Sequence, residues 1–140
     1  MKAANLRSDY RKKSTILGNN RKVLIIDDEA AIRRVVALKL ENHGYQVITA
    51  TNGEEGLALI ESQKPQVVIT DLNMPKLNGK ALCEKTKGLK KEYNFLTIII
   101  TCEIPSAKHR WIDDMENTQF MPKPFSPSQL VNCIEQYFNN

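Results

Sequence analysis

The sequence predicts an α/β protein: one five-stranded parallel sheet, doubly wound, with helices on both faces. Short apolar runs of strand length alternate five times with stretches whose apolar residues recur at helical spacing. The run Leu96-Thr97-Ile98-Ile99-Ile100 is largely β-branched, which suits a strand buried on both faces at the centre of a parallel sheet. Four of the strand-like runs also end in or lead into polar residues, at the strand ends where parallel sheets bind ligands.

Each element has its own signal. Val23-Leu24-Ile25-Ile26 is the first strand, ended by Asp27-Asp28. Ile32, Val35, Val36 and Leu40 then form one apolar helical face. Asn42-His43-Gly44 stops that helix, with Gly44 free to take the left-handed cap and His43 at the negative end of the dipole. Tyr45-Gln46-Val47-Ile48 is the second strand. Asn52 is the N-cap of the next helix, with Glu55 at the capping-box position and Leu57 and Ile60 inward. Val67 to Thr70 forms the third strand, which leaves Asp71 in the following loop. A third helix starts near Gly79, turns Leu82 inward, and fades into a surface loop at Gly88-Leu89-Lys90-Lys91. Thr101 closes the fourth strand. Trp111, Ile112 and Met115 make only a partial stripe for a fourth helix near Ser106 to Met115. Phe120-Met121 marks the fifth strand. Ser126-Pro127-Ser128-Gln129 is a helix start, and Leu130, Ile134 and Tyr137 line the last helix.

The 140 residues suit one domain with one core, and 41% hydrophobic with 26% charged residues is ordinary for a soluble globular chain. No apolar run approaches the roughly 20 residues that span a bilayer, and the N-terminus lacks a secretory apolar core, so a cytoplasmic protein is expected. Cys83, Cys102 and Cys133 follow no metal-ligand spacing and read as reduced, mostly buried side chains. His43 and His109 are too isolated for a histidine metal site. The net charge of +4 is a property of the first 22 residues, which carry seven basic side chains against Asp9 alone. The remainder holds 13 basic and 15 acidic residues, which weakens any reading of the whole chain as a nucleic-acid binder. Residues 1–21 therefore read as a basic, flexible arm, in which Leu6, Tyr10, Ile16 and Leu17 offer a short amphipathic helix. Residues 22–140 read as the domain, and only the arm remains a candidate tether to nucleic acid.

The chemistry lies at the strand ends. Asp27, Asp28 and Asp71 collected there would hold a divalent cation, while Lys123 and Thr101 would meet a phosphoryl group. Like charges gathered so closely are unfavourable without a cation.

These residues, in order and at these spacings, resemble the response-regulator receiver family, the CheY-like, flavodoxin-like fold of two-component signalling. The resemblance runs from about Lys22 to Phe138. Its parts are Asp27-Asp28, Asp71-Leu72-Asn73-Met74-Pro75 with Gly79, Thr101, and Lys123-Pro124-Phe125. It implies that Asp71 is the phosphoacceptor, taking a phosphoryl group from the phosphohistidine of a sensor histidine kinase or phosphotransfer protein. It further implies Mg²⁺ as cofactor, bound by Asp28, Asp71 and the backbone carbonyl of Asn73, with Asp27 acting through a water. Lys123 would meet the phosphoryl group, and the Lys123-Pro124 bond would be cis. Thr101 and Phe120 would be the switch pair, and Asn73 and Glu103 would tune dephosphorylation. The phosphorylated form would alter partner binding on the face of the fourth helix, fifth strand and fifth helix. Such a protein is not an enzyme beyond its own phosphorylation and dephosphorylation, and is a monomer or a phosphorylation-dependent dimer. Met115-Glu116-Asn117 departs from the small residues the family often carries before strand five, which puts the usual fourth helix in doubt.

Because the sequence stops at Asn140, a stand-alone receiver is expected, its output a protein contact at a surface that includes Trp111 and the last helix. Alternatives are a phosphorelay intermediate, a phosphate sink, or a phosphate-independent interaction module. A small aspartyl-phosphate phosphatase would carry Asp-x-Asp after the first strand, where this chain has Asp27-Asp28-Glu29. No Gly-rich loop ending in Lys-Ser/Thr follows that strand, which disfavours nucleotide binding.

Overall fold

A computed structural model describes residues 20–104 and 106–139. The basic arm expected at residues 1–21, and the amphipathic pattern within it, lie almost wholly outside the described residues. In chain order the elements are β1 Lys22–Ile26, α1 Ala30–Asn42, β2 Gln46–Ala50, α2 Gly53–Gln63 and β3 Val67–Asp71. They continue with α3 Gly79–Lys85, α4 Lys87–Glu92, β4 Leu96–Thr101, a 3₁₀ helix Ala107–Ile112, β5 Thr118–Pro122 and α5 Pro127–Asn139.

All strand pairs are parallel and the sheet order is β2-β1-β3-β4-β5. Alternation of side chains along each strand splits the core into two layers. Val23, Ile25, Val67, Ile69 and Ile98 pack with Val36, Leu40, Leu130 and Ile134 of α1 and α5. Leu24, Ile26 and Val68 face the other way, against Ile60 of α2, Leu82 of α3 and Phe95. Every residue of β4 is buried, as its β-branched run requires. The order in which strands are added reverses between β1 and β3, so the crevice at their C-terminal ends is the ligand position of this architecture.

Local signals decide most boundaries. Asn52 accepts from the Glu55 N–H at 2.9 Å, and the Glu55 carboxylate reaches back to the Thr51 N–H at 3.3 Å. Ser126 and Gln129 exchange both capping-box bonds at 3.0 and 3.2 Å. His43 closes α1 with Nδ1 at 2.9 Å from the Lys39 carbonyl, and Gly44 takes φ 88°.

Several expectations are corrected. β2 runs on to Ala50, and Asp71 is the last residue of β3 rather than part of the loop. Val35 is 54% exposed, because α1 buries Val36 and Leu40 and turns Val35 outward. The stretch expected as a surface loop is α4, and Lys90 in it is buried. Its ammonium donates to the carbonyls of Phe95 at 2.8 Å and Asn117 at 3.2 Å and lies 4.2 Å over the Phe95 ring. Of the cysteines only Cys83 is buried, Cys133 is half-buried and Cys102 is exposed. The fourth helix is a six-residue 3₁₀ helix, and Asn117, in the departing Met115-Glu116-Asn117 corner, takes φ 50°.

Candidate functional site

The site sits where β1, β3, β4 and β5 end. Asp27 is fixed from both sides: its N–H donates to the Ala50 carbonyl at 3.2 Å and its Oδ1 accepts from the Glu29 N–H at 2.9 Å. Its own carbonyl accepts from the Arg33 guanidinium at 2.7 Å, an anchor on α1 that no motif singled out. Asp28 follows, exposed. Asp71 Oδ1 accepts from the Asn73 N–H at 3.1 Å, which turns the carboxylate into the crevice.

The loop from Asp71 to Gly79 is held tightly. Leu77 N–H bonds to the Pro75 carbonyl at 2.8 Å around Lys76 at φ 70°, a strained γ-turn. The Gly79 N–H closes the loop on the Leu72 carbonyl at 2.9 Å. A side chain at Gly79 would meet the Asp71 carbonyl at 2.8 Å, so only glycine lets α3 start this close to the acceptor strand.

Lys123 crosses from the end of β5. Its backbone N–H bonds to the Thr101 carbonyl at 2.8 Å, and its bond to Pro124 is cis. Nζ stands 2.8 Å from Asp71 Oδ2, 3.3 Å from Asp27 Oδ2 and 3.8 Å from Glu29 Oε1. Burial works against the lysine charge, but the bond to Asp71 and the two aspartate charges outweigh it, and the net pKa is raised. For Asp27 burial is the largest influence and prevails over the Glu29 N–H and Lys123, so its pKa is raised.

Asp27, Asp28 and Asp71 each offer a carboxylate oxygen within 4.8 Å of one another. Three hard oxygen donors, one buried, one half-buried and one open to solvent, fit a small divalent cation such as Mg²⁺ that keeps some of its waters.

Thr101 is fully buried, and its Oγ accepts from the Glu103 N–H at 3.1 Å. That bond uses an oxygen lone pair and leaves the hydroxyl proton free to be donated. Phe120 is half-buried, packing toward Ile112 with its ring 5.8 Å from His109. Asn73 and Glu103 meet directly, Nδ2 to Oε2 at 2.8 Å, so two residues 30 apart in sequence form one bridge across the site. Glu103 also contacts Lys108 Nζ at 2.6 Å, and this contact, then the bond from Asn73, holds its pKa down to about 2. His109, which looked isolated in the sequence, is buried and its Nε2 stands 3.3 Å from Glu103 Oε1. The legible signal was Ser106 three residues before it, an N-cap spacing with a side chain able to answer. Asp27, Asp28, Asp71, Asn73, Thr101, Glu103 and Lys123 are thus gathered around one crevice, with Phe120 at its margin.

The sequence matches the family model described as response regulator receiver domain over residues 23–135. The chain belongs to the response regulator receiver family. Relatives include a probable transcriptional regulator ycf27 of Cyanophora paradoxa, 36% identical over 112 residues that cover 80% of this chain and 46% of that protein. The alkaline phosphatase synthesis transcriptional regulatory protein PhoP of Bacillus subtilis (strain 168) is 34% identical over 116 residues, covering 79% and 45%. The chain spans about half the length of the curated relatives it matches. Among solved structures, a CheY-like receiver domain protein from Methanospirillum hungatei JF-1 superposes with a TM-score of 0.78 at 27% identity, over 85% of this chain and 94% of that one. The chemotaxis response regulator CheY4 of Vibrio cholerae gives 0.75 at 29% identity, over 83% and 97%. Receiver domains generally use Mg²⁺ at an acidic pocket, and this receiver has such a pocket. Among the described residues no helix is long and apolar enough to cross a membrane.

Proposed function

We propose that this receiver is a phosphorylatable switch of a two-component system, with Asp71 as acceptor. The observation that carries the reading is the Lys123 ammonium held between the Asp71 and Asp27 carboxylates, with Asp28 beside them. An ion pair of this kind is already arranged as a phosphoryl site: cation, nucleophile and metal donors meet at one point.

In the reaction, an Asp71 carboxylate oxygen attacks the phosphorus of a phosphohistidine on a kinase or phosphotransfer protein. The new O–P bond forms as the P–N bond breaks, and the imidazole leaves with the bonding electron pair. Asp28, Asp71 and the Asn73 carbonyl would hold Mg²⁺ directly and Asp27 through a water, and the ion supplies neutralisation of charge on the phosphoryl oxygens. Lys123 exchanges its Asp71 contact for a phosphoryl oxygen, a point charge at short range. Thr101 turns its free hydroxyl proton to another phosphoryl oxygen, and Phe120 follows into the space beside it. The contact surface of the 3₁₀ helix, β5 and α5 changes accordingly, shifting an equilibrium between two packings. A cleft of about 470 Å³ with walls from Ile32, Val35, Pro124 and Phe125 opens beside Lys123 and supports the approach of a donor protein.

Intact mass after incubation with acetyl phosphate tests this. The expected result is a Mg²⁺-dependent gain of one phosphoryl group that is absent in Asp71→Asn. A folded wild type that gains nothing from acetyl phosphate or from any histidine kinase tried would leave a phosphate-independent interaction module.

A further inference from the structure

The geometry points to His109 as a positioning residue that sets how long the phosphoryl group stays on Asp71; this inference rests on the function proposed above. The Asn73–Glu103 bridge spans from the loop after β3 to the loop after β4, beside the Asp71 carboxylate. One Asn73 N–H is thereby committed to Glu103, which fixes the amide and limits where its remaining N–H and its carbonyl can align a water on phosphorus. What keeps Glu103 in place comes from the 3₁₀ helix.

Besides Asn73, two side chains of that helix reach the Glu103 carboxylate, and they differ in quality. Lys108 is 70% exposed, so its ion pair is solvated and weakly constraining. His109 is buried against Phe120 and has little freedom to move. Its Nδ1 accepts from the Ser106 N–H at 3.1 Å, which places the proton of the neutral ring on Nε2. Nε2 stands 3.3 Å from Glu103 Oε1; both atoms are sealed from solvent and neither meets hydrogen-bond geometry with any partner among the described residues, although Lys108 Nζ lies 2.6 Å from the same Oε1. A buried N–H with no hydrogen-bond partner of its own is attracted to the nearby carboxylate charge, and this draws Glu103 toward the buried ring. His109 therefore carries the fixed end of the bridge, and Glu103 the moving end. Because Phe120 packs on the same ring, movement of the switch aromatic is transmitted to the cover over Asp71.

The test follows loss of the phosphoryl group by intact mass after loading with acetyl phosphate and Mg²⁺. It compares wild type, His109→Leu, His109→Asn, His109→Gln, Glu103→Ala and the double variant Glu103→Ala/His109→Leu, each confirmed folded by circular dichroism. His109→Leu should lose the group about two- to tenfold faster, the range that a single polar contact supplies. His109→Asn, too short to reach Glu103, should match it and serves where leucine impairs folding. His109→Gln, whose amide reaches the Nε2 position, should restore most of the lifetime. In the Glu103→Ala background the leucine change should add nothing. An unchanged lifetime in both His109→Leu and His109→Asn, or the same acceleration without Glu103, overturns the inference and assigns His109 to packing. A wild type that takes no phosphoryl group overturns the underlying function as well, and is read before any variant.

Discussion

Lys123 and Asp71, 52 residues apart in the chain, meet at 2.8 Å between Nζ and Oδ2. The lysine is 11% and the aspartate 12% exposed, so the contact is screened little by solvent. With Asp27 Oδ2 a further 3.3 Å from the same ammonium, one cation offsets two carboxylates. Lys123→Met should therefore destabilise the protein by about 1.5–3 kcal/mol in chelator, the range for a hydrogen bond to a charged group. Mg²⁺ should recover much of that loss, since the ion replaces the missing charge. Urea unfolding with and without Mg²⁺ measures both. An equal loss under the two conditions would mean that the lysine stem, not its charge, is what matters.

Glycines 79 and 88 make a contrasting pair. A Cβ at Gly79 meets the Asp71 carbonyl at 2.8 Å and the Leu72 Cα at 3.0 Å, both backbone. Gly79→Ala should cost about 1–3 kcal/mol and slow phosphorylation, because the displaced backbone carries the acceptor. At Gly88, inside α4, an added Cβ meets nothing within 4 Å. Gly88→Ala should stabilise by about 0.4–1 kcal/mol and leave phosphorylation alone. Denaturant midpoints beside loading rates check the pair; slow loading in Gly88→Ala would count against this local view.

The sheet was legible in the sequence because its signals are local: β-branched runs, Asn52 and Ser126 caps, and the Gly44 stop each act within four residues. The site was legible because its residues sit at strand ends, and strand ends converge by topology. What was not legible depends on distant partners. Lys90 looked like surface because nothing nearby in sequence reveals the Asn117 carbonyl it reaches, 27 residues on. Val35 looked inward because a four-residue apolar stripe does not say which edge of the helix meets the sheet. His109 looked isolated because its carboxylate partner is defined only once the loop after β4 folds back.

Lys90 also gives the chain a pH signature. Burial is the main influence on its amine and lowers the pKa from 10.5 to about 8, with Cys83 and Glu116 opposing. A lowered folded-state value means the native state disfavours the charged form. The penalty is full below about pH 8, where both states are protonated, and is relieved as pH rises from about 8 to 10.5. Burial raises Cys83 and Tyr93 to about 12 and so acts in the opposite sense, costing stability above their ordinary values of 9.0 and 10.0. The clean quantity is therefore the difference between the Cys83→Ala chain and its Lys90→Met partner, which removes the coupled thiol and lets Tyr93 largely cancel. The Cys83→Ala chain should gain on that partner between pH 8 and 10.5, measured by urea unfolding at several pH values. A flat difference would show that the amine keeps its proton on folding.

Trp111, the single tryptophan, should report the switch. It packs with Phe120 and Met115 against a cluster of Leu72, Cys83, Ile99 and Ile112, and Lys80 Nζ lies 5.9 Å over its ring. If Phe120 moves inward when Thr101 turns to the phosphoryl group, this cluster repacks and the indole emission changes. Thr101→Ala removes the hydroxyl that would drive the movement and leaves the Glu103 N–H without its 3.1 Å acceptor, at a cost of about 1–3 kcal/mol. It leaves Asp71, Asp28 and Lys123 untouched. The variant should still gain a phosphoryl group by mass while its emission stays at the unphosphorylated value, and Thr101→Ser, which keeps the hydroxyl, should recover the change. Separating loading from emission in this way decides between two physical accounts. If Thr101→Ala loads and still shows the wild-type emission change, the phosphoryl charge reaches the indole without the threonine, and the coupling runs through the Asn73–Glu103 bridge instead.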